Sequence, residues 1–223
     1  MPANYDMITF DCYGTLIDWE RGIGDAFAAA ARQAGAAYDP QALIAAYHLI
    51  EPVVEADTYR PYREVLIETA RRITAQLGWP LDRATATFLP DSLPSWPVFP
   101  DTNAALERLA AAGYRLGILS NVDDELLSAT LRQFTAPIDL IVTAQQVHSY
   151  KPAHGHFLTA RERLGGLRWL HAAQSHFHDV VPASQLGVPV VWVNRKREPL
   201  PPGGPAPLAE VATMAALADW AGA

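Results

Sequence analysis

Four short polar segments contain the residues whose types and spacing could carry out a chemical reaction. They are Phe10-Asp11-Cys12-Tyr13-Gly14-Thr15-Leu16, Leu119-Ser120-Asn121, Tyr150-Lys151-Pro152 and Gln174-Ser175-His176-Phe177-His178-Asp179. An aspartate before a Gly-Thr turn can present its carboxylate to a substrate as a nucleophile. Taken singly, each segment also has an ordinary explanation, because Asp and Ser often cap helices and lone lysines are usually solvated. The combination of two carboxylates, hydroxyls and one ammonium is what indicates a reaction site.

Each of these segments follows a stretch whose pattern predicts a β-strand. The predicted strands are Met7–Phe10, Arg115–Leu119, Ile138–Val142 and Leu167–His171, with a fifth at Val188–Val193. Helical patterns separate them, and strands that alternate with helices indicate βαβ units and a parallel sheet. Ligands of such sheets bind beyond the carboxyl ends of the strands, which is where the polar segments fall. We therefore predict an α/β fold, a doubly wound parallel sheet with a Rossmann-like core.

The stretch that follows the first strand has a different pattern. Apolar residues recur at helical spacing from about Ile17 to Leu89, and no strand-like alternation interrupts them. Four prolines between Pro90 and Pro100, which do not continue a helix, indicate a return linker. The predicted organisation is an inserted helical cap subdomain over residues 17–95 and an α/β core made of residues 1–16 and 96–223.

In their order, the four segments resemble the motifs of the haloacid dehalogenase superfamily, over essentially the whole chain and including a helical cap after the first motif. The resemblance implies that Asp11 is the nucleophile, that Lys151 steadies the carboxylates, and that Asp179 activates water or helps to hold a metal. The residues that it places around the reacting group are Thr15, Ser120, Asn121 and Ser175. We expect Lys151 to lie in an exposed cleft within about 3–4 Å of both carboxylates and to favour the ionised form of Asp11.

Two departures from the superfamily pattern indicate which branch the chain resembles. Phosphatases of the superfamily have a second Asp, a general acid, where Tyr13 stands, and metal-dependent members usually have an Asp where Gln174 stands. A tyrosine does not perform that proton transfer near neutral pH, whereas halide leaves without a proton. Loss of a carboxylate also weakens a Mg²⁺ site, which is built from hard oxygen ligands. Both departures resemble the L-2-haloacid dehalogenase branch, which attacks a carbon atom without a metal.

Other positions differ from that branch and concern substrate binding. The branch has an arginine in the first cap helices that binds the substrate carboxylate and the departing halide, and the nearest residue here is His48. Arg60 and Arg63, later in the cap, either substitute for it or form a solvated face. The branch also has a tyrosine six residues after the lysine, where this chain has Phe157. These residues, together with Tyr13, are the remaining candidates for contact with substrate.

The sequence therefore predicts a hydrolase with an aspartate nucleophile, first of all a 2-haloacid dehalogenase that forms a 2-hydroxy acid and halide without a cofactor. One alternative is a Mg²⁺-dependent phosphatase for a small phosphomonoester, with the metal held by Asp11, Tyr13 and Asp179. Another is a non-catalytic binding protein on the same scaffold. The histidines between His154 and His178 could bind zinc, but they lack adjacent cysteines and regular ligand spacing.

The composition limits the partners. The chain has 223 residues, a net charge of −7 and 50% hydrophobic residues. An acidic chain without a basic run is unsuited to nucleic acid, and no apolar run reaches the roughly 18 residues of a membrane span. The N-terminal sequence MPANYDMITFD lacks a cationic segment, so we expect no signal peptide, and the single cysteine, Cys12, is typical of a reducing compartment. We expect a cytoplasmic protein with a small anionic substrate, and the sequence leaves a homodimer open.

Overall fold

The computed structural model describes residues 5–223 of the chain. The first four residues, which belong to the predicted core segment and to the N-terminal stretch considered for a signal peptide, lie outside the described range. The described chain divides into two compact units: one comprises the residues up to Asp18 with 98–121 and 132–223, the other 19–97 and 122–131. We call the first the sheet unit and the second the helical unit.

The sheet unit is built on six strands. They are β1 (Met7–Phe10), β2 (Arg115–Ser120), β3 (Leu140–Thr143), β4 (Trp169–Ala173), β5 (Val190–Val193) and β6 (Ala209–Val211). Their order across the sheet is β3-β2-β1-β4-β5-β6, and every pairing between these strands is parallel. The chain builds outward from β1 through β2 and β3, and then returns to the other side of β1 with β4. The carboxyl end of β1 is therefore the point at which open α/β sheets form their ligand crevice.

Helices connect and flank the strands. They are α1 (Trp19–Ala34), α2 (Pro40–Glu55), α3 (Tyr62–Gln76), α4 (Phe88–Ser92), α5 (Thr102–Ala111), α6 (Asp124–Leu131), α7 (Ala144–Val147), α8 (Gly155–Leu164), α9 (Val181–Gln185) and α10 (Met214–Ala221). All four residues of β1 are buried, and a cluster of buried apolar side chains that includes Leu119, Phe157 and Trp192 forms a core of this unit. The predicted doubly wound α/β fold is confirmed. Within residues 5–223, no helix has the length and apolar character needed to cross a membrane.

Two elements, β6 and α10, lie beyond the last predicted strand. The Thr213 hydroxyl caps α10 by accepting a hydrogen bond from the Ala216 N–H at 3.0 Å. Gly222, with φ of 77°, ends the helix in the left-handed conformation that suits glycine. These are ordinary helix boundary signals, but β6 has three residues and α10 has eight, too few for a clear periodic pattern.

The helical unit contains α1 to α4 and α6. Between residues 19 and 97 the described chain has helices, turns and no strand. The proline-rich region is not the non-helical linker that we predicted, because Pro90 lies inside α4 and Pro94 lies in a 3₁₀ turn, Leu93–Ser95. Proline is tolerated there since the first N–H groups of a helix have no intrahelical partner. Buried Leu89 and Trp96 anchor this region within the unit.

The division of the chain differs from the predicted one at residues 122–131, which group with the helical unit. A cap supplied from a distant part of the sequence links this segment to the helical unit. The two carboxylate oxygens of Asp123 accept hydrogen bonds from the Tyr62 and Arg63 N–H groups, both at 2.8 Å, at the start of α3. An acidic side chain is favourable at a helix N-terminus. No local pattern in the sequence links Asp123 to a helix that begins 61 residues earlier.

Candidate active site

The turn after β1 positions Asp11. Gly14 has φ of 102°, a left-handed conformation that glycine adopts without strain, and the chain folds back so that the Cys12 carbonyl accepts a hydrogen bond from the Leu16 N–H. The turn brings Thr15 over the carboxylate, where its Oγ1 donates to Asp11 Oδ2 at 3.0 Å. Asp11 therefore has an orienting donor that comes from its own loop.

Lys151 lies at the centre of the site. Its ammonium donates to Asp11 Oδ1 at 2.9 Å, to Asp179 Oδ1 at 2.6 Å and to the Leu119 carbonyl at 2.9 Å. These contacts use all three N–H donors of a lysine. The structure thus brings the two predicted carboxylates together at the predicted lysine. Lys151 is only 2% exposed, however, so the expectation of an exposed cleft lysine is wrong.

Asn121 holds the backbone of Lys151. Its Oδ1 accepts a hydrogen bond from the Lys151 N–H at 2.7 Å, and its Nδ2 donates to the Lys151 carbonyl at 3.1 Å. The sequence places Asn121 beside the reacting group, whereas in the structure its amide is bonded to the loop that carries the lysine. Asn121 therefore positions Lys151 through its main chain.

Burial governs the electrostatics of the three charged side chains. Burial raises the pKa of Asp11 above its ordinary value, the negative charge of Asp179 adds to this effect, and Lys151 offsets it only in part. Our expectation for Asp11 considered only the attraction of Lys151, which burial outweighs. Burial also opposes ionisation of Asp179, but Lys151 and His171 hold the pKa of Asp179 at about 2. Burial would lower the pKa of Lys151, yet the two carboxylates raise it, so the lysine remains a cation.

His171 is a site residue that the sequence reading considered only as a zinc candidate. Its Nε2 lies 3.1 Å from Asp179 Oδ1, and its Nδ1 lies 2.8 Å from Thr9 Oγ1. His171 on β4 and Thr9 on β1 are paired in register across the sheet, and both are fully buried. The signal in the sequence was a polar residue in the middle of each apolar strand.

The hydroxyl groups predicted to bind substrate have different surroundings. Thr15 Oγ1 also accepts a hydrogen bond from the Gln174 N–H at 2.9 Å, which ties the first segment to the fourth. Ser120 Oγ is buried and has no hydrogen-bond partner among the residues that the structure describes. Ser175, by contrast, caps the π-helical turn His176–Val180, because its Oγ accepts from the His178 N–H at 3.1 Å. The geometry therefore leaves the hydroxyl of Ser120, rather than that of Ser175, for a substrate.

Phe157 is not a substrate-contact residue in this structure. Its side chain is fully buried in the apolar core of the sheet unit. It stacks on Trp169 with ring centroids 6.2 Å apart and meets the edge of His171 at 5.1 Å. A phenylalanine ring has no polar group that needs a hydrogen-bond partner, which suits this apolar environment. Tyr13, the other aromatic candidate, is half-buried in the turn after Asp11.

The three cap candidates each contact an acidic residue within the helical unit. The contacts join His48 Nε2 to Glu20 Oε1 at 3.3 Å, Arg60 to Asp57 at 2.5 Å and Arg63 to Asp91 at 2.7 Å. This arrangement corresponds to the solvated face that the sequence left as an alternative. A substrate carboxylate would have to displace these partners, and contact of the three residues with substrate stays a prediction.

The residues of the site do not fit a Mg²⁺ ion. Mg²⁺ requires a near-octahedral set of oxygen ligands, but Asp11 Oδ1 and Asp179 Oδ1 both bind the ammonium of Lys151, and Gln174 supplies no third carboxylate. Within residues 5–223, no three or more His, Cys, Asp or Glu side chains are grouped so that they could hold a metal ion. Lys151 is the cation that the structure places between the two carboxylates.

The histidines considered as zinc ligands do not converge. The contacts join His154 to Gln185 Oε1 at 2.9 Å, His156 to the Ser120 carbonyl at 3.1 Å, His176 to the Pro205 carbonyl at 3.0 Å and His178 to Ser175 Oγ at 3.1 Å. Each ring therefore serves a different part of the structure.

The sequence motifs and this geometry agree with a comparison against known families. The model of one family, described as haloacid dehalogenase-like hydrolase, matches residues 5–173, from before β1 to the end of β4. The chain belongs to this hydrolase family. The match includes Asp11, Ser120 and Lys151, and it confirms the superfamily resemblance seen in the motifs.

Individual relatives cover almost the whole chain. An (S)-2-haloacid dehalogenase of Pseudomonas putida is 27% identical over 231 residues, which is 97% of this chain and 96% of the relative. An L-2-haloacid dehalogenase of Xanthobacter autotrophicus, solved with chloropropionic acid covalently bound, has a TM-score of 0.82 at 19% identity over 96% and 97% of the two chains. The Bacillus subtilis HAD-hydrolase YfnB, bound to magnesium, has a TM-score of 0.84 at 16% identity over 99% and 100%. Both structural likenesses establish the fold alone, so the reaction must be argued from the site.

Proposed function

We propose that the chain is a 2-haloacid dehalogenase that hydrolyses the carbon–halogen bond at C2 of a small 2-haloacid. The observation that carries this proposal is a pair of carboxylates sharing one buried ammonium at the carboxyl end of β1. The side chain of Asp11 is 10% exposed and that of Asp179 is 0% exposed, so Asp11 is the carboxylate that a substrate reaches. The Pseudomonas putida relative is named for (S)-2-haloacids, which supports the (S) enantiomer as the substrate here.

Asp11 performs the first half-reaction. One of its oxygens forms a bond to C2, the bond between C2 and the halogen breaks, and halide leaves with the electron pair. The product is an ester between Asp11 and the substrate. Thr15 and Lys151 hold the carboxylate from two sides, so it approaches C2 in a fixed orientation. The hydroxyl of Ser120, which has no hydrogen-bond partner among the described residues, can donate a hydrogen bond to the anionic substrate.

Asp179 serves the second half-reaction. Water attacks the carbonyl carbon of the Asp11 ester and transfers a proton to Asp179. The bond between this carbon and the ester oxygen breaks, and the oxygen that leaves with the 2-hydroxy acid takes up the proton that Asp179 had accepted. The second proton of the water is released, which restores both carboxylates. With a pKa held at about 2, Asp179 is ionised at neutral pH, the state in which a carboxylate can act as a base.

The residue at position 13 supports halide as the leaving group. An alkoxide leaving from phosphate needs a general acid, whereas halide needs none, and Tyr13 offers no carboxylic acid at that position. Because Lys151 occupies the space between the two carboxylates, the proposed reaction uses no metal ion. We place it in the cytoplasm, in line with a single, buried cysteine. A homodimer stays a prediction.

Halide release and label transfer test the proposal. Purified protein is assayed for halide release from (S)- and (R)-2-chloropropionate and for phosphate release from a phosphomonoester, each with Mg²⁺ and with a chelator. A single turnover in ¹⁸O-water should place the label in the Asp11 carboxylate and leave the 2-hydroxy acid unlabelled. Phosphate release that requires Mg²⁺, without halide release, would assign the chain to the phosphatases. If neither halide nor phosphate is released under any of these conditions, the result would favour a binding protein.

Tyr13 provides a sharper test of the leaving group. If halide leaves unaided, Tyr13→Phe should change ester formation by less than about tenfold, or about 1.4 kcal/mol in the barrier. Tyr13→Asp should not accelerate it, because a second carboxylate near Asp11 disfavours ionisation of the pair. Rapid-quench measurement of the ester gives both rates. A loss of more than about a hundredfold in Tyr13→Phe would mean that the tyrosine participates in the displacement.

A further inference from the structure

A chain of hydrogen bonds runs from the core of the sheet unit to Asp179. Trp169 Nε1 donates to Thr9 Oγ1 at 2.6 Å, Thr9 Oγ1 lies 2.8 Å from His171 Nδ1, and His171 Nε2 lies 3.1 Å from Asp179 Oδ1. Thr9, His171 and Asp179 are fully buried, and Trp169 is 8% exposed. Four polar groups thus form one connected path inside an apolar region.

With a neutral imidazole at His171, the donors and acceptors along this path form one consistent arrangement. The indole N–H of Trp169 is a donor only, so Thr9 Oγ1 accepts from it, and the ionised carboxylate of Asp179 accepts only, so His171 Nε2 carries a hydrogen. The hydroxyl hydrogen of Thr9 then points to His171 Nδ1, which accepts it. Every polar hydrogen on the path is satisfied when His171 is the neutral Nε2–H tautomer. Buried polar groups of this kind are costly when they lack partners, which favours this single arrangement.

Packing fixes the histidine ring as firmly as the hydrogen bonds do. The fully buried ring of Phe157 meets His171 at an interplanar angle of 80° and stacks on Trp169. In-register pairing of β1 with β4 sets Thr9 opposite His171. The ring can therefore neither tilt nor turn without disturbing the core, and Phe157 acts on the site through this packing.

The two oxygens of Asp179 have different surroundings. Oδ1 receives both the Lys151 ammonium and the His171 N–H. Oδ2 is buried and has no hydrogen-bond partner among the described residues. Two donors on one oxygen fix the plane of the carboxylate and reserve the other oxygen for a group that arrives with the reaction.

We propose that His171 is a positioning residue for ester hydrolysis, holding Asp179 through Oδ1 so that Oδ2 faces the hydrolytic water and accepts its proton. The inference rests on the proposed function. It assigns His171 to the second half-reaction alone, because the contacts of Asp11 to Thr15 and Lys151 do not involve the histidine.

The test separates the two half-reactions in His171→Phe. Rapid quench and mass measurement of the Asp11 ester should show ester formation within about threefold of wild type and ester hydrolysis slowed about 10- to 100-fold, the cost of a displaced reacting group. The ester should therefore accumulate in the steady state. His171→Gln, whose amide N–H can donate to Asp179, should recover much of the loss. His154→Phe, the same change at a half-buried histidine of the sheet unit that contacts Gln185 instead of the site, is the matched control.

Two further measurements keep the inference falsifiable if His171→Phe does not fold. Thr9→Val removes the hydroxyl whose hydrogen bond His171 Nδ1 accepts. It should slow ester hydrolysis less than His171→Phe, and Thr9→Ser should restore the rate.

¹⁵N NMR of the wild-type histidines should show His171 protonated at Nε2 only. A histidine protonated at Nδ1 alone would overturn the assignment, as would equal slowing of both half-reactions without rescue by glutamine. A normal ester in wild type with unchanged hydrolysis in His171→Phe overturns this inference alone, whereas no ester in wild type overturns the proposed function with it.

Discussion

The two units of the molecule hold ion pairs of nearly the same length in opposite environments. In the sheet unit, Lys151 Nζ and Asp179 Oδ1 are 2.6 Å apart, and their side chains are 1% and 0% exposed. In the helical unit, Arg63 and Asp91 are 2.7 Å apart, and their side chains are 38% and 53% exposed. Since water screens the second pair and not the first, distance alone says little about what each contributes. We therefore expect substitutions in the buried pair to change stability and activity more than substitutions in the exposed pair.

The largest expected effect is the loss of activity in Asp11→Asn. An amide is not a nucleophile toward C2, so halide release should fall at least about 10⁴-fold, equivalent to about 5.5 kcal/mol in the barrier. The same variant should be at least as stable as wild type at pH 7, because burial and Asp179 raise the pKa of Asp11 and its charge is unfavourable in the folded state. Halide assays and urea unfolding check the two statements. A clear loss of stability would show that Asp11 contributes to folding after all.

Lys151→Ala should have the largest effect on stability. It leaves Asp179 buried without its cation, and breaking a buried pair in this way costs about 3–5 kcal/mol. This follows from the burial of Lys151, which the sequence analysis had expected to lie in an exposed cleft. Urea unfolding measures the difference, and Lys196→Ala, an exposed lysine, should stay within about 0.5 kcal/mol of wild type. A loss below about 1 kcal/mol in Lys151→Ala would mean that burial does not distinguish the two units.

Glu51 shows what happens to a half-buried carboxylate that has no cation beside it among the described residues. Tyr62 donates a hydrogen bond to it at 3.1 Å, but burial outweighs this and raises the pKa of Glu51 to about 7, whereas Asp179 beside Lys151 has a pKa of about 2. The folded state therefore holds a proton that the unfolded state releases near pH 4.5. Stability from this group is complete below pH 4.5 and is lost as the pH rises to about 7, by on the order of 2 kcal/mol.

Glu51→Gln should flatten this dependence. The free energy of unfolding, measured by urea titration between pH 4.5 and pH 8, should fall less steeply with pH in the variant than in wild type. Glu64→Gln, which changes a carboxylate of α3 that pairs with Arg83, serves as the control. Parallel curves for Glu51→Gln and wild type would contradict the raised pKa.

The sequence predicted the parts of the molecule that depend on local pattern. Asp11 and Lys151 follow predicted strands, and because parallel strands end at one edge of a sheet, their meeting could be expected before any distance was known. The burial of Lys151 could not be predicted from the sequence, because it depends on how the loop that Asn121 holds lies against β2. Lysine is usually exposed in proteins, and this tendency led to the wrong expectation for the burial of Lys151.

The sequence did not reveal the residues that interact across the sheet, for a different reason. His171 and Thr9 are separated by 162 positions, and their pairing depends on the register of β1 with β4. Asp123 caps α3 in the same non-local manner. Phe157 occupies a position where the resemblance implied substrate contact, but its ring is fully buried in the core. Sequence pattern locates elements, whereas strand pairing and packing decide which side chains meet.

The smallest expected effect concerns the exposed pair of the helical unit. A double-mutant cycle with Arg63→Ala and Asp91→Ala should give a coupling energy of about 0.2–1 kcal/mol, because water solvates both charges and ordering two side chains costs entropy. The coupling should decrease further between 0.05 M and 0.5 M salt, as expected for charges that ions can screen. Urea unfolding of the four proteins gives the value, and the backbone cap that Asp123 provides to Arg63 remains in all of them. A coupling above about 2 kcal/mol that does not change with salt would place this pair in the same class as Lys151 and Asp179, and the contrast between the two units would no longer rest on exposure.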